Sequence, residues 1–296
     1  MSSSRAQAII RPLLRFVLTL FLASLIIFAL MRAVPGNPAR VALGVNATDD
    51  AIAELSAELG LDRPLLAQYG EWVKGLATGD FGKSLSSQQD ITPLVLDRLQ
   101  VTLILIGLAM ALALACAIPI GMWLAHNRNS RVAGLVSAGT QLGIAVPSFL
   151  VGIILVAIFA VHLGWLPANG WVPPNRGVGD FLRHLILPVI ALALVQGAML
   201  TRYMRSSVLD VMDQDYIRTA RALGDSPREA LHRHGLRNAA LPVLTVSGLQ
   251  LTSMVVGAVV IESVFVIPGV GSMLLDAVSV RDLTTVQTLV MLLVTF

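Results

Sequence analysis

Few residues in this chain are of types that could do chemistry, and their spacing settles most cases. Ala77-Thr78-Gly79-Asp80-Phe81-Gly82-Lys83-Ser84 approaches the glycine-rich pattern whose amides and lysine cradle nucleotide phosphates. Ala77 stands where the first glycine belongs, and no apolar strand leads into it, so the strand–loop–helix context is missing. Any ATP, with its Mg, is therefore expected on a partner chain. His232 and His234 suggest a metal pair, but positions two apart lie on different faces of a helix. No cysteine or third ligand is near them. Cys116 is the single cysteine, which excludes an internal disulfide framework and a cysteine-ligated cluster. Met254, Met273 and Met291 read as packing rather than as ligands. The expectation is a non-enzyme with no catalytic residue, no metal and no cofactor of its own.

The elements that carry these residues belong to lipid. Of 296 residues, 55% are hydrophobic and only 13% charged, about half the charged share of a soluble domain. The mean hydropathy is +0.77. Six apolar runs predict an all-α polytopic membrane protein with six transmembrane helices. The first spans Phe16 to Met31, extended back over Ile9 and Ile10, with Arg11 and Arg15 able to snorkel. It is read as a retained helix, because no small-residue cleavage pattern follows it. The others are 101–125, 132–162, 184–201, 239–261 and a final run, 283–296, that stops before it could cross. The cores of these runs hold no ionisable group. His162, Arg183, His184 and Glu262 fall at their ends and read as interfacial. That argues against a proton relay or an intramembrane enzyme.

Gly107, Gly121, Gly139, Gly143, Gly152, Gly248 and Gly257 predict close helix approach. Pro119, Pro147, Pro188 and Pro242 predict breaks or kinks, and backbone freed there must face protein or water. The break at 143–149 and the fifth run are accordingly the candidate lining of a translocation path. Gly143, Pro147, Ser148, Gln250 and Ser253 are the residues singled out.

Charge chooses a direction. The N-terminal segment, the 126–131 loop and the 202–238 loop share one side when the spans number six. They hold 12 of the 21 basic residues against 5 acids, a net +7, and the other side carries −4. Basic short loops favour the cytoplasm, so both termini are expected inside. Seven of the arginines sit on the 202–238 loop alone, and no nucleic-acid footprint is implied.

Residues 35–97 form the largest piece on the outer side. AIAELSAELG (51–60) reads as a helix capped by Asp49 or Asp50 and ended by Gly60. A second helix is expected over 63–79, with Asp62 capping and Pro64 in the first turn. Its Leu65, Leu66, Tyr69, Trp72, Val73 and Leu76 share one side, which suits a docking surface or a passive scaffold alike. The loop between the fourth and fifth runs, 203–238, is far longer than a helix–helix turn needs. Residues 206–224 read as one helix ending at Gly224. Ser226-Pro227-Arg228-Glu229 then reads as a capping box with proline at its favoured position. The helix it starts meets Gly235, read as its C-terminal stop. A rigid, basic helix of about eight residues is expected, with Ala230 and Leu231 as a small apolar face and Arg228, His232, Arg233 and His234 as its polar one.

These residues carry a family resemblance. Residues 218–244, RTARALGDSPREALHRHGLRNAALPVL, resemble the cytoplasmic signature of permease subunits of ABC-type importers. Ala220 and Gly224 keep its Ala–Gly spacing, and Leu241-Pro242 its downstream Leu-Pro. Arg218 and Thr219 replace the usual Glu and Ala, which is similar to the peptide and nickel branch. Val34-Pro35-Gly36-Asn37-Pro38, Leu59-Gly60-Leu61-Asp62-Arg63-Pro64-Leu65, Gly79 to Ser84, Glu262-Ser263-Val264-Phe265 and Pro268-Gly269-Val270-Gly271 agree with that branch.

The resemblance implies a type I importer permease of a bacterial inner membrane. Its organisation would be a first helix (1–34), an extracytoplasmic segment (35–97) and a permease core (98–296). The partners implied are a paralogous permease, two ATP-binding cassette subunits and an extracytoplasmic binding protein delivering peptide. The ATPase-coupling residues would be Ala220, Gly224, Ser226, Pro227, Arg228, Glu229, Leu231, His232 and Gly235. An ion-driven secondary carrier and a non-conducting scaffold subunit are the alternatives.

Overall fold

A computed structural model of the chain describes residues 2–44 and 47–295. The side chains of residues 2–6, 8, 9 and 42 lie outside that description, Arg5 among them, as does Phe296 at the end of the last run. The described residues are helical, with no strand among them and one isolated bridge between Lys83 and Asp90. Contacts divide the chain into two units. One runs up to Leu99 and resumes at Met273; the other is Gln100–Ser272.

In the first unit, α1 (Ser2–Ala33) contributes an apolar stretch, Ile10–Ala33, of which only 17% is buried. Most of its side chains are exposed. Helices α2 (Pro38–Leu43) and α3 (Asp49–Glu58) pack together beyond it. Helix α3 is capped by Thr48, whose side chain accepts from the Ala51 amide, and not by Asp49 or Asp50, which occupy its first turn. Helix α4 (Leu65–Thr78) has no side-chain cap, which corrects the role expected of Asp62: Pro64, extended, occupies the cap position itself. Gly60 and Gly79 end their helices with positive φ of 66° and 77°. Four of the six residues on the expected α4 face, Tyr69, Trp72, Val73 and Leu76, are half-buried. Phe28 of α1 meets Tyr69 edge-on at 5.4 Å and stacks near Trp72 at 6.3 Å, while Ser24 and the Tyr69 hydroxyl lie 2.8 Å apart. Leu65 and Leu66 stay exposed.

The Ala77–Ser84 segment opens no helix. Helix α5 (Thr92–His126) begins eight residues past Ser84. The Ser84 hydroxyl and Leu85 amide instead donate to the buried carboxylate of Asp282, which also caps α13 (Leu283–Val294). Helix α13 lies along α1 and has 12 residues, too short to cross a bilayer.

In the second unit, α8 (Val178–Met212) is the central helix. Two-thirds of its apolar stretch is buried, 67%, which places it inside a ring of neighbours. Helix α11 (Leu236–Val264) pairs along it, flanked by α6 (Arg131–Ala145) and α7 (Ser148–Leu155). Helix α7 continues through π-type turns to His162. The 132–162 run is bent by 104° between α6 and α7, because Pro147 cannot donate and holds Val146 extended. Pro119, Pro188 and Pro242 sit inside unbroken helices instead. Four of the seven small-residue sites are contacts: a Cβ on Gly121, Gly143, Gly152 or Gly257 would press on Met204, Ala198, Phe265 or Leu192. Gly107, Gly139 and Gly248 face open space. Four helices are long and apolar enough to span, and the bent pair makes a fifth.

Glu262 departs most from its expected place. It is fully buried, not interfacial. Its carboxylate accepts from Thr102 and from the Ser272 amide, and Thr102 accepts in turn from the Val270 amide. The carboxyl group thus fastens the turn after Pro268 back onto its own helix.

Candidate functional site

The loop after α8 is built from short-range signals that mostly act as their chemistry dictates. Helix α8 runs on past its apolar part to Met212, and the chain breaks at Asp213–Gln214 before α9 (Asp215–Ala222). Residues 206–224 are therefore two helices, not one. Helix α9 turns Ile217 and Ala220 inward, with Ile217 fully buried. Its outer face carries Arg218, Arg221 and Tyr216, whose hydroxyl accepts from Asn238 at 3.0 Å. The chain leaves α9 through Leu223, 85% exposed, and Gly224, whose φ is +111°.

Ser226 then starts α10 (Pro227–Ala230), and both halves of the capping box form. The Ser226 hydroxyl accepts from the Glu229 amide at 3.3 Å, and Glu229 Oε2 accepts from the Ser226 amide at 2.9 Å. Hydrogen bonds from Ser226, with a smaller pull from Arg233, hold the Glu229 carboxyl below the usual carboxylate range. Pro227 occupies the first turn, where its missing N–H costs nothing. Arg228 and His232 are exposed. Arg233 and His234 both reach Asp225, each at 3.3 Å, so the two histidines are not brought to a common ligand. Among the described residues no cluster of three metal-ligating side chains occurs.

Two expectations are corrected here. Gly235 does not stop the helix. Its φ of −100° and ψ of −34° are helical, and π-type turns over Leu231–Gly235 lead straight into α11. The capped turn and the fifth span form one helical stretch, Pro227–Val264. Gly235 is glycine for packing: a Cβ there would lie 2.8 Å from Val211 and 3.1 Å from Leu231. Ala230 and Leu231 are likewise buried within the chain, so they face inward rather than outward. The exposed apolar residue at this end is Leu223, unremarked in the sequence because one leucine before a glycine carries no periodic signal.

Of the path candidates, Gly143 packs on Ala198 of α8, and Ser148 lies beside Gly257 of α11. Pro147 and Ser253 are exposed and Gln250 half-buried. Sequence reasoning missed Asp282, although an Asp three residues before Thr285 is a recognisable cap signal.

Comparison with known proteins shows the family. The binding-protein-dependent transport system inner membrane component family matches residues 117–296, and its N-terminal membrane component matches residues 6–106. The chain is 36% identical to the probable peptide ABC transporter permease protein y4tP of Sinorhizobium fredii, over 96% of this chain and 91% of that one. It is also 36% identical to the oligopeptide transport system permease protein AppB of Bacillus subtilis, over 94% and 89%. Identity is again 36% to the glutathione transport system permease protein GsiC of Escherichia coli, over 96% and 90%. A helical membrane chain whose capped turn is continuous with a span, matched end to end by such relatives, belongs to the binding-protein-dependent transport system inner membrane components, the permease subunits of ABC importers.

Proposed function

We propose that this permease carries peptides, forms half of a translocation path with a paralogous permease, and is driven through its 203–238 loop by two cytoplasmic ATP-binding cassette subunits. ATP and Mg would be held by those subunits, and an extracytoplasmic binding protein would deliver the cargo. The observation that carries this reading is the continuity of Pro227–Val264. A push on the Ser226–Glu229 turn is transmitted directly into the fifth span. Gly224, Ser226, Pro227, Arg228, Glu229 and His232 form the exposed surface for that push. Ala220, Leu231 and Gly235 hold the turn against α8 and α9 from within. The surplus of basic residues on this loop favours placing it, with both termini, in the cytoplasm of a bacterium. The relatives named for peptide, oligopeptide and glutathione transport support a peptide cargo.

The test is reconstitution of the complete importer in liposomes. ATPase activity should rise with peptide-loaded binding protein, and labelled peptide should accumulate only with ATP. Uptake that follows an imposed ion gradient without ATP would overturn the reading.

A further inference from the structure

Helix α4 rises beside the end of α1, and its depth follows from the residues they bring together. Tyr69 meets Phe28 edge-on with ring centres 5.4 Å apart, and its hydroxyl lies 2.8 Å from that of Ser24. Trp72, one turn on, stacks near Phe28 at 6.3 Å and borders a cavity with Arg32. Later residues of α4 thus meet later residues of α1. The two helices run in one sense, and the first turn of α4 lies nearest the middle of the apolar stretch.

That stretch, Ile10–Ala33, has 24 residues and is long and apolar enough to cross a membrane. Its length is about 36 Å against a hydrocarbon core of about 30 Å. Even if the whole excess projects at the Ala33 end, Ser24 lies about 7 Å inside the core and Phe28 just within its boundary. Tyr69 and Trp72 stand at that boundary, the level where such rings gather in membrane proteins.

The turn below Tyr69 suits the same surroundings. Pro64, Leu65, Leu66 and Ala67 are all exposed, Leu65 by 60% and Leu66 by 85%, and none is charged. The charge before them turns away: Arg63 pairs with Glu71, and Gln68 Nε2 donates to the carbonyls of Leu61 at 3.0 Å and Arg63 at 2.7 Å. Residues 61–63 therefore double back along α4 and leave Pro64–Ala67 as an apolar tip. Leu65 and Leu66 continue the face of Tyr69, Trp72, Val73 and Leu76, which is half-buried higher up.

We propose that this tip inserts into the bilayer leaflet at the Ala33 end of α1, as an interfacial anchor whose partner is phospholipid. A level at or just below Tyr69 matches the ~5–10 Å at which the apolar faces of interfacial helices settle. The first amides of α4 have no side-chain cap, so they need the ester oxygens of the interface and the tip goes no deeper. The inference goes beyond the transport reading and holds whatever the cargo is.

The test is fluorescence quenching in the complete importer, reconstituted in phospholipid nanodiscs. An environment-sensitive probe is attached at Leu66→Cys in a Cys116→Ala background, and separately at Leu65→Cys. Lys74→Cys, exposed on the opposite face of α4, is the comparison. The probes at 65 and 66 should emit further to the blue than the one at 74 and resist iodide in the buffer. They should lose more intensity to lipid with a nitroxide high on the acyl chain than to lipid with it at the methyl end. The probe at 74 should be quenched by iodide and by neither lipid. Iodide quenching at 65 and 66 equal to that at 74 would overturn the proposal by placing the tip in water. Shielding of both from iodide and from both lipids would overturn it as well, by placing protein over the tip. None of these outcomes bears on the uptake assay that tests the transport reading.

Discussion

Thr102 of α5 donates to Glu262 at the end of α11, hydroxyl to carboxylate at 2.6 Å, across 160 residues of sequence. The same hydroxyl accepts from the Val270 amide, and the other carboxylate oxygen accepts from the Ser272 amide. The turn after the fifth span is thereby tied to a buried carboxyl group. A Cβ on Gly269 would fall 2.1 Å from that carboxylate, so the turn closes too tightly on it for any larger residue.

Thr102→Val keeps the shape and removes both bonds. It takes one donor from the Glu262 carboxyl group and the acceptor from the buried Val270 amide, at a combined cost on the order of 3 kcal/mol. The detergent-solubilised variant should melt several degrees below the parent, while Thr102→Ser should stay close to it. A Thr102→Val protein as stable as the parent would show that the network is dispensable.

Gly224 is surrounded by open space, with nothing within 4 Å of the point a Cβ would occupy, yet its φ is +111°. Any side chain therefore acts through backbone strain alone, about 1–3 kcal/mol, and not through a clash. Gly224→Ala and Gly224→Asp should accordingly impair peptide-stimulated ATPase activity to a similar degree, with insertion unchanged. A large difference between them would mean that the added atoms meet the ATPase subunit rather than the chain's own geometry.

The capping box is also a weak pH sensor. Folding holds the Glu229 carboxyl below its ordinary value, so its contribution is present above the unfolded value and is lost as pH falls through the lower, folded one. Amide exchange at Ser226, whose N–H donates to the Glu229 carboxylate, should lose protection as the solution is acidified below about pH 4. Glu229→Gln keeps an acceptor at the same position and should show little such loss. Identical acid profiles for the two proteins would remove the carboxylate from the cap.

What was legible in the sequence follows from the range of the forces involved. Ser226-Pro227-Arg228-Glu229 is settled by bonds three residues apart, so the cap could be read in full. The apolar runs were legible for the same reason, since lipid sets their length residue by residue. Glycine is ambiguous at that range: Gly224 has the positive φ of a stop, whereas Gly235 is helical and small because Val211 and Leu231 are close. The cap of α3 falls on Thr48 rather than on Asp49 or Asp50 because adjacent polar residues compete for it, whereas Pro64 takes the cap position of α4 with no side-chain bond at all. Glu262 depends on partners far along the chain, and no local pattern announces it. The cap that Asp282 gives α13 is a local signal, whereas its bonds to Ser84 and Leu85 reach far along the chain and are not.

The fit at Gly235 gives the sharpest test of coupling. Its would-be Cβ lies 2.8 Å from Val211 on α8 and 3.3 Å from Ile217 on α9. Filling that space should cost about 1–3 kcal/mol and push the Ser226–Glu229 turn away from both helices without touching the exposed surface. If the turn drives the fifth span, Gly235→Val should assemble with the ATPase subunits yet hydrolyse ATP without moving peptide. The ratio of peptide transported to ATP hydrolysed, measured in liposomes, should fall well below that of the parent. A Gly235→Val importer with an unchanged ratio would mean that seating of the turn on α8 and α9 plays no part in transmission.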